Sequence, residues 1–535
     1  MSTAPLNQVP PPDDYDAFAA DPTLAAGVGA YGAGWAGDRL TEIGRATGSA
    51  EAQDWGDLAN THPPELRTHD RGGARVDEVE FHPSWHRLLD RAVGWGLAGG
   101  PWAEPRAGAH VARAAGFYLW SQVEQGHLCP VSMTHAAVPA LRVDPALAAT
   151  WEPLLTSGRY EPGLTPAHGK AGALAGMGMT EKQGGSDVRA NTTRAEPAGN
   201  AGEYVLTGHK WFCSAPMSDV FLVLAQAPGG LTCFVLPRVL PDGGRNAFHI
   251  QRLKDKLGNR SNASSEVEFD AAHAARLGEE GRGVRTIIEM VAATRLDCIA
   301  GSASVMRQAV VRAAHYARHR TVFGSALADQ PLMRNVLADL VVESEAATTL
   351  LLRLAAAVDA GESELLRIGL PVGKYLVCKR APVTTAEALE CLGGNGYVEE
   401  WGMARLYREA PLNSIWEGSG SVNALDLLRA LRDRSTLDAL LIEIGSARGA
   451  DARLDKAVTD LLTDLADLAG VEARARRLAE RTALVLTGSL LVRHGDPAVA
   501  DAFCATRLGG DWGHTFGTLP RGVDTEAIIA RAATP

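Results

Sequence analysis

The stretch Gly178-Met-Thr-Glu-Lys-Gln-Gly-Gly-Ser-Asp187 decides how this chain is read, in company with Ile415-Trp-Glu-Gly-Ser-Gly420 downstream. The first segment joins glycines, which permit close backbone approach, to the hydroxyls of Thr180 and Ser186, a combination suited to a flat ring and its phosphates. Taken alone, Gly-Gly-Ser-Asp is also an ordinary turn. Its surroundings separate the two readings. Short β-rich runs at 203–207, 220–225, 232–236 and 266–269 are divided by Gly, Pro, Asn and Asp, which predicts a small β-barrel or sandwich. Upstream, the runs 85–94 and 110–120 repeat apolar residues at three and four, which is helical. From 283 to 320 the same period continues without a proline, predicting a helix roughly 50 Å long at 1.5 Å per residue. Leu332, Val336, Leu337 and Leu340, then 365–392, continue the helices, and 436–535 is helical again.

The expected fold class is therefore mainly α with a central β domain. The expected domains are a Pro/Asp-rich arm and helical domain (1–174), a middle β domain (175–277), a helical bundle (278–435) and a C-terminal helical domain (436–535). A chain of 535 residues exceeds one hydrophobic core. Its formal charge of −11 and lack of a basic tail leave no overall footprint of a dedicated nucleic-acid binder. Seven scattered cysteines with no C-x-x-C pair read as reduced thiols. The N-terminus carries no signal-peptide pattern, and no membrane-length apolar run occurs, so a cytoplasmic protein without a membrane span is expected.

Two patterns are decoys. Gly27-Val-Gly-Ala-Tyr-Gly32 and Gly32-Ala-Gly-Trp-Ala-Gly37 both satisfy the dinucleotide fingerprint, but neither follows a strand. His82 and His86 have the spacing of a helical metal pair, yet no third ligand is evident and Pro83 favours a structural turn.

The block 177–188, with Gly208-His-Lys-Trp-Phe212 and Arg320-Thr-Val-Phe-Gly324, resembles the acyl-CoA dehydrogenase superfamily and its T-E-P-x-x-G-S-D signature. The pair Lys182-Gln183, where that signature has Pro, is similar to the AidB branch of alkylation-response flavoproteins. So are Asn60, Phe81-His-Pro83, Leu128-Cys-Pro130, Lys254-Asp-Lys-Leu-Gly-Asn-Arg-Ser-Asn-Ala-Ser264 and Asn413-Ser-Ile-Trp-Glu-Gly-Ser-Gly420.

The resemblance implies FAD, with flavin contacts at Met177, Met179, Thr180, Gly185 and Ser186. The family's Trp-x-Thr element beside flavin N5 reads Phe212-Cys213-Ser214 here, which keeps a hydroxyl and loses an indole. The adenine end would fall to Arg320, Phe323 and Gly324 of one protomer and to Gly393 and Gly394 of its partner, making a homodimer or homotetramer the expected assembly. Gln330 stands one position before the family's glutamine. Ser419 and Ser421 fall where relatives touch the cofactor. Glu417 aligns with the family's catalytic base, and Arg295 with an arginine that could pair with it and keep it ionised.

The branch is further associated with double-stranded DNA. Arg474, Arg477 and Arg481 share a helical face, joined at its edge by Arg476, and could track phosphates, although residues 436–535 hold 11 Lys/Arg against 14 Asp/Glu. Two functions are thus expected to compete: an FAD-dependent oxidoreductase acting on acyl-CoA or another small molecule through Glu417, and a DNA-associated flavoprotein acting in the alkylation response.

Overall fold

The computed structural model describes residues 6–467 and 469–532. The chain forms two compact units: Met1–Ala52 with Ala107–Val123 and Arg295–Pro535, and Gln53–Arg106 with Glu124–Thr294.

The second unit holds the β-barrel. Strands β1 (Glu65–His69) and β2 (Arg75–Glu80) form a hairpin ahead of it, and the barrel strands are β3 (Ala175–Gly178), β4 (Arg194–Pro197), β5 (Glu203–Ser214), β6 (Val220–Ala227), β7 (Gly230–Pro237), β8 (Phe248–Leu253) and β9 (Ser264–Leu277). They run in the order β3-β6-β4-β5-β9-β7, and β7 pairs back onto β6, so the sheet closes on itself; β8 adds to β9. Of the two architectures the strand spacing allowed, the barrel is the one formed. Phe221, Phe234, Phe248 and Phe269 fill its interior, where large apolar side chains exclude water from the pleated inner face. The β1–β2 hairpin did not stand out in sequence because its exposure alternates between charged and half-buried positions, without a clear apolar period. It docks through Asp77, whose carboxylate accepts from the Ile250 N–H at 3.1 Å.

The same unit settles the histidine pair. His82 caps the helix Pro83–Gly94 by accepting from the Ser84 N–H and stacks on His62, while His86 bonds the Tyr160 hydroxyl at 2.6 Å. Both have structural partners. Among the described residues, no cluster of metal-ligating side chains occurs.

A buried carboxylate in this unit carries a pH prediction. Burial alone would raise the pKa of Glu124, but His127, Ser261 and the Gly126 N–H bond its oxygens and hold it at about 2, below its ordinary 4.5. A folded-state pKa below the unfolded one stabilises above the unfolded value and is lost as pH falls through the folded one. Stability on the order of 3 kcal/mol should therefore disappear between about pH 4.5 and pH 2. Acid titration of Glu124→Gln, followed by circular dichroism, should show a shallower decline in that window than the parent chain; an identical decline would refute the assignment.

The first unit is helical. It includes Gly283–His319 from Arg295 onward, then Pro331–Asp359, Ser363–Glu390, Gly420–Ala430 and Val471–His494. The glycine-rich 27–37 region is helical too, as Pro22–Ala30, Gly34–Ala36 and the start of Gly37–Thr47, so no strand supports a dinucleotide turn there. Residues 6–20 of the N-terminal arm are docked. A Cβ on Gly48 would sit 2.0 Å from the Tyr15 carbonyl, and one on Gly44 would sit 2.6 Å from the Phe18 N, so these glycines let residues 14–18 lie flat on the helix Gly37–Thr47.

All seven cysteines are buried and none is in a disulfide. Burial pushes the thiols of Cys213, Cys233, Cys391 and Cys504 up to about 12. Among the described residues, no helix is long and apolar enough to cross a membrane.

Candidate functional site

In the barrel unit, the loop after β3 is fixed by an ion pair that the sequence reading gave no role. The Glu181 carboxylate accepts from Lys210 Nζ at 2.8 Å, from the N–H groups of Thr192 and Thr193, from the Thr192 hydroxyl and from Gln183 Nε2. Both ionic side chains are fully buried, and Lys210 also donates to the Leu224 carbonyl at 2.7 Å. Burial opposes the charge on Glu181, but Lys210 and the surrounding donors outweigh it and hold the carboxyl well below the usual range. Lys210 sits in Gly208-His-Lys-Trp-Phe212, so the signal was present in a quoted motif.

The residues expected to contact the flavin lie on β3, on the loop after it and at the end of β5, next to this anchor. The Trp211 N–H donates to the Thr180 carbonyl at 2.9 Å, which brings the end of β5 against the loop. Met177, Met179, Thr180 and Ser214 are half-buried there, Ser186 and Gly185 are exposed, and Phe212 is 53% exposed. A Cβ on Gly185 would lie 2.5 Å from Thr180 Oγ1, so the turn requires glycine. The exposed face of Phe212 beside the hydroxyls of Thr180 and Ser214 is a donor set suited to a flat heteroaromatic ring.

In the helical unit, Arg320 opens a six-residue hairpin of β10 (Thr321–Val322) and β11 (Ser325–Ala326). Its two-residue turn, Phe323-Gly324, has φ of 48° and 88°, as a primed hairpin turn requires. Phe323 stands at the tip, 98% exposed. Gln330 is turned inward: its Nε2 donates to Ser325 Oγ at 2.7 Å and braces the hairpin. Gly393 and Gly394 begin a short 3-10 turn, and a Cβ at either would meet open space. Ser419 precedes the helix Gly420–Ala430 without a side-chain capping bond, and Ser421 is exposed in its first turn.

Glu417 has φ 56°, a left-handed backbone that costs a non-glycine residue about 1–2 kcal/mol. Buried donors hold the carbonyls around it. Arg295 Nε donates to the Glu417 carbonyl at 3.2 Å, Lys374 Nζ to the Gly418 carbonyl at 2.7 Å, and Asn423 Nδ2 to the same carbonyl at 2.6 Å. The expected pairing of Arg295 with the Glu417 carboxylate is corrected by this geometry. The ionic partner of Arg295 is Asp426 at 2.6 Å, which also receives Arg367 at 3.0 Å. Asp426 lies on the adjacent helix with both oxygens turned to guanidinium groups, a better match than the loop carboxylate. Arg295 therefore positions the Glu417 backbone.

Along the helix Val471–His494, Arg474 donates to the carbonyls of Asp467 and Ala469, Arg476 to the Tyr375 hydroxyl, and Arg481 pairs with Asp464. Arg477 is exposed. Arg481 is thus paired with an acidic side chain and Arg474 lies 3.7 Å from that of Asp467, while the neutral partner of Arg476 leaves its charge uncancelled.

Comparison with known proteins gives these residues a family. Residues 7–162 match the family described as adaptive response protein AidB N-terminal domain, 176–272 the acyl-CoA dehydrogenase middle domain, and 281–432 the acyl-CoA dehydrogenase C-terminal domain. The chain is 47% identical to AidB of Escherichia coli (strain K12), over 94% of each protein. It belongs to the acyl-CoA dehydrogenase family, in its AidB branch. Another family relative is acyl-CoA dehydrogenase family member 11 of Caenorhabditis elegans, 30% identical over 87% of this chain and 80% of that one. The crystal structure of C. elegans ACDH-11 in complex with C11-CoA superposes with a TM-score of 0.84 at 26% identity, covering 99% of this chain and 93% of the other. The mainly helical family fold with its central β domain is the one described above.

Proposed function

We propose that this chain is an FAD-dependent oxidoreductase of the acyl-CoA dehydrogenase type, acting on an acyl thioester with Glu417 as base. The observation that carries the reading is the strained Glu417 loop, held at three carbonyl contacts by Arg295, Lys374 and Asn423. Backbone strain of this kind persists only where the surroundings over-determine it, and it concentrates at functional sites.

Met177, Met179, Thr180, Gly185, Ser186, Phe212 and Ser214 would hold the flavin ring. Arg320, Phe323, Gly324, Gly393, Gly394, Ser419 and Ser421 would hold the remainder of the dinucleotide, in a homodimer or homotetramer. FAD, when bound, supplies the hydride acceptor. The protein's own part is proton chemistry and positioning. The Glu417 carboxylate takes the proton from the carbon next to the thioester carbonyl, and Arg295, Lys374 and Asn423 prevent the loop from relaxing. Ser214 would offer the ring a hydroxyl donor, and Phe212 an aromatic face. The C11-CoA in the ACDH-11 complex supports an acyl-CoA as the ligand class.

A second reading, protection of DNA or removal of alkylating compounds in the alkylation response, draws support from the AidB N-terminal match and the 47% identity to AidB. We place it second because Arg474, Arg476 and Arg481 already have partners within the chain.

One preparation tests both. Reconstitution with FAD should give a yellow protein whose visible flavin band bleaches on anaerobic titration with one or more members of an acyl-CoA panel. A colourless product would sink the cofactor assignment, and a yellow product inert to every thioester would sink the substrate class. A mobility shift of duplex DNA at low salt, where counterion release favours binding, would promote the second reading.

A further inference from the structure

The docked N-terminal arm reaches both turns that carry the proposed adenine-end residues of the helical unit. Asn7 Oδ1 accepts from the Thr321 N–H at 2.9 Å, and Asn7 Nδ2 donates to the Thr321 carbonyl at 2.9 Å. One amide side chain thus bonds both backbone groups of a single residue, as a neighbouring strand would. The Asn7 carbonyl accepts from Arg320 Nη1. Asn7 itself has φ 55°, in the left-handed well, a conformation asparagine tolerates better than most residues. Next along the arm, Gln8 Oε1 accepts from Asn395 Nδ2 at 3.4 Å, and the Pro10 carbonyl bonds His315 Nε2 at 2.9 Å. Val9 is buried between them in sequence.

The hairpin that Arg320 opens has only two residues per strand, too few to hold its own shape. Gln330 braces its far strand and Asn7 its near one. The Asn7 carbonyl is a neutral acceptor, so it fixes the direction of the guanidinium without cancelling its charge. The other N–H groups of the fork keep their capacity for an anion.

We propose that Asn7 is a positioning residue for a phosphate-bearing ligand at Arg320, the pyrophosphate of a dinucleotide. The inference rests on the FAD reading above and extends it to a segment to which that reading gave no part. By fixing the guanidinium and the Thr321 backbone before the ligand arrives, the arm removes ordering that binding would otherwise have to do.

Four full-length variants test this by titration of FAD, read as quenching of its fluorescence: Asn7→Ala, Arg320→Ala, the double variant, and Gln8→Ala. Asn7→Ala removes the two side-chain bonds to Thr321 that hold the Asn7 carbonyl against Arg320, and should weaken FAD binding about tenfold. Arg320→Ala should weaken it at least as much, and the double variant no further than Arg320→Ala alone, because the two residues act through one group. Gln8→Ala, which frees the arm from Asn395 without touching Arg320, should cost clearly less than Asn7→Ala. An unaltered affinity in Asn7→Ala, additive losses in the double variant, or an equal loss in Gln8→Ala would each overturn the proposal while leaving FAD binding intact. A parent chain that does not bind FAD would overturn the cofactor reading and this proposal with it.

Discussion

Replacing Lys210 by methionine is expected to be among the most damaging single changes in the barrel unit. The substitution leaves the Glu181 carboxylate buried without its cation, and breaking a buried pair from one side costs about 3–5 kcal/mol. The loss should appear as a lower thermal midpoint in scanning calorimetry and, because Glu181 ties down the loop that follows β3, as failure to retain FAD. Adding Glu181→Gln to Lys210→Met should restore part of the midpoint, since the orphaned charge is then gone and the amide oxygen can still accept from one of the Thr192 and Thr193 N–H groups. A Lys210→Met protein with the parent midpoint would show that the pair contributes nothing. A double variant no better than the single one would show that the cost lies in packing instead.

Two substitutions at Glu417 should move stability and activity in different directions. Glu417→Gln keeps the shape and the left-handed backbone but removes the base, so FAD should still bind while thioester-driven bleaching slows by about 10² to 10⁴-fold, the usual contribution of a general base. Glu417→Gly removes the base and also the conformational penalty, and should stabilise the chain by about 1 kcal/mol if the loop keeps its φ of 56°. Stopped-flow absorbance reads the first effect and the thermal midpoint the second. Parent-like bleaching in Glu417→Gln would remove Glu417 from the chemistry. A less stable Glu417→Gly would show that its side chain contributes more to the fold than its backbone costs.

Much of the architecture was legible because its signals are local. The apolar period over 283–320 marks the helix Gly283–His319, and the β-rich runs fall within β5, β6, β7 and β9. What escaped depends on contacts far apart in sequence. β3 is a four-residue parallel strand whose partner β6 begins more than forty residues later, and its small residues carry no strand preference. The candidate site divides along the same line. Glu417 and Arg320 were found by motif, but the partners that define their geometry were not. Asp426 draws Arg295 away from the expected carboxylate, and Asn7 reaches Arg320 across 313 positions. Motif matching locates a reactive group; which atoms its neighbours address is a property of the folded chain.

The buried thiols have a consequence for chemistry outside the site. An alkylating agent reacts with thiolate far faster than with thiol, and thiols whose pKa is pushed up to about 12 hold almost no thiolate near neutral pH. Sealed from solvent as well, these four sulfurs are poor nucleophiles towards alkylating electrophiles. Unfolding reverses both protections at once, so the rate of thiol capture becomes a direct clock for loss of the native state.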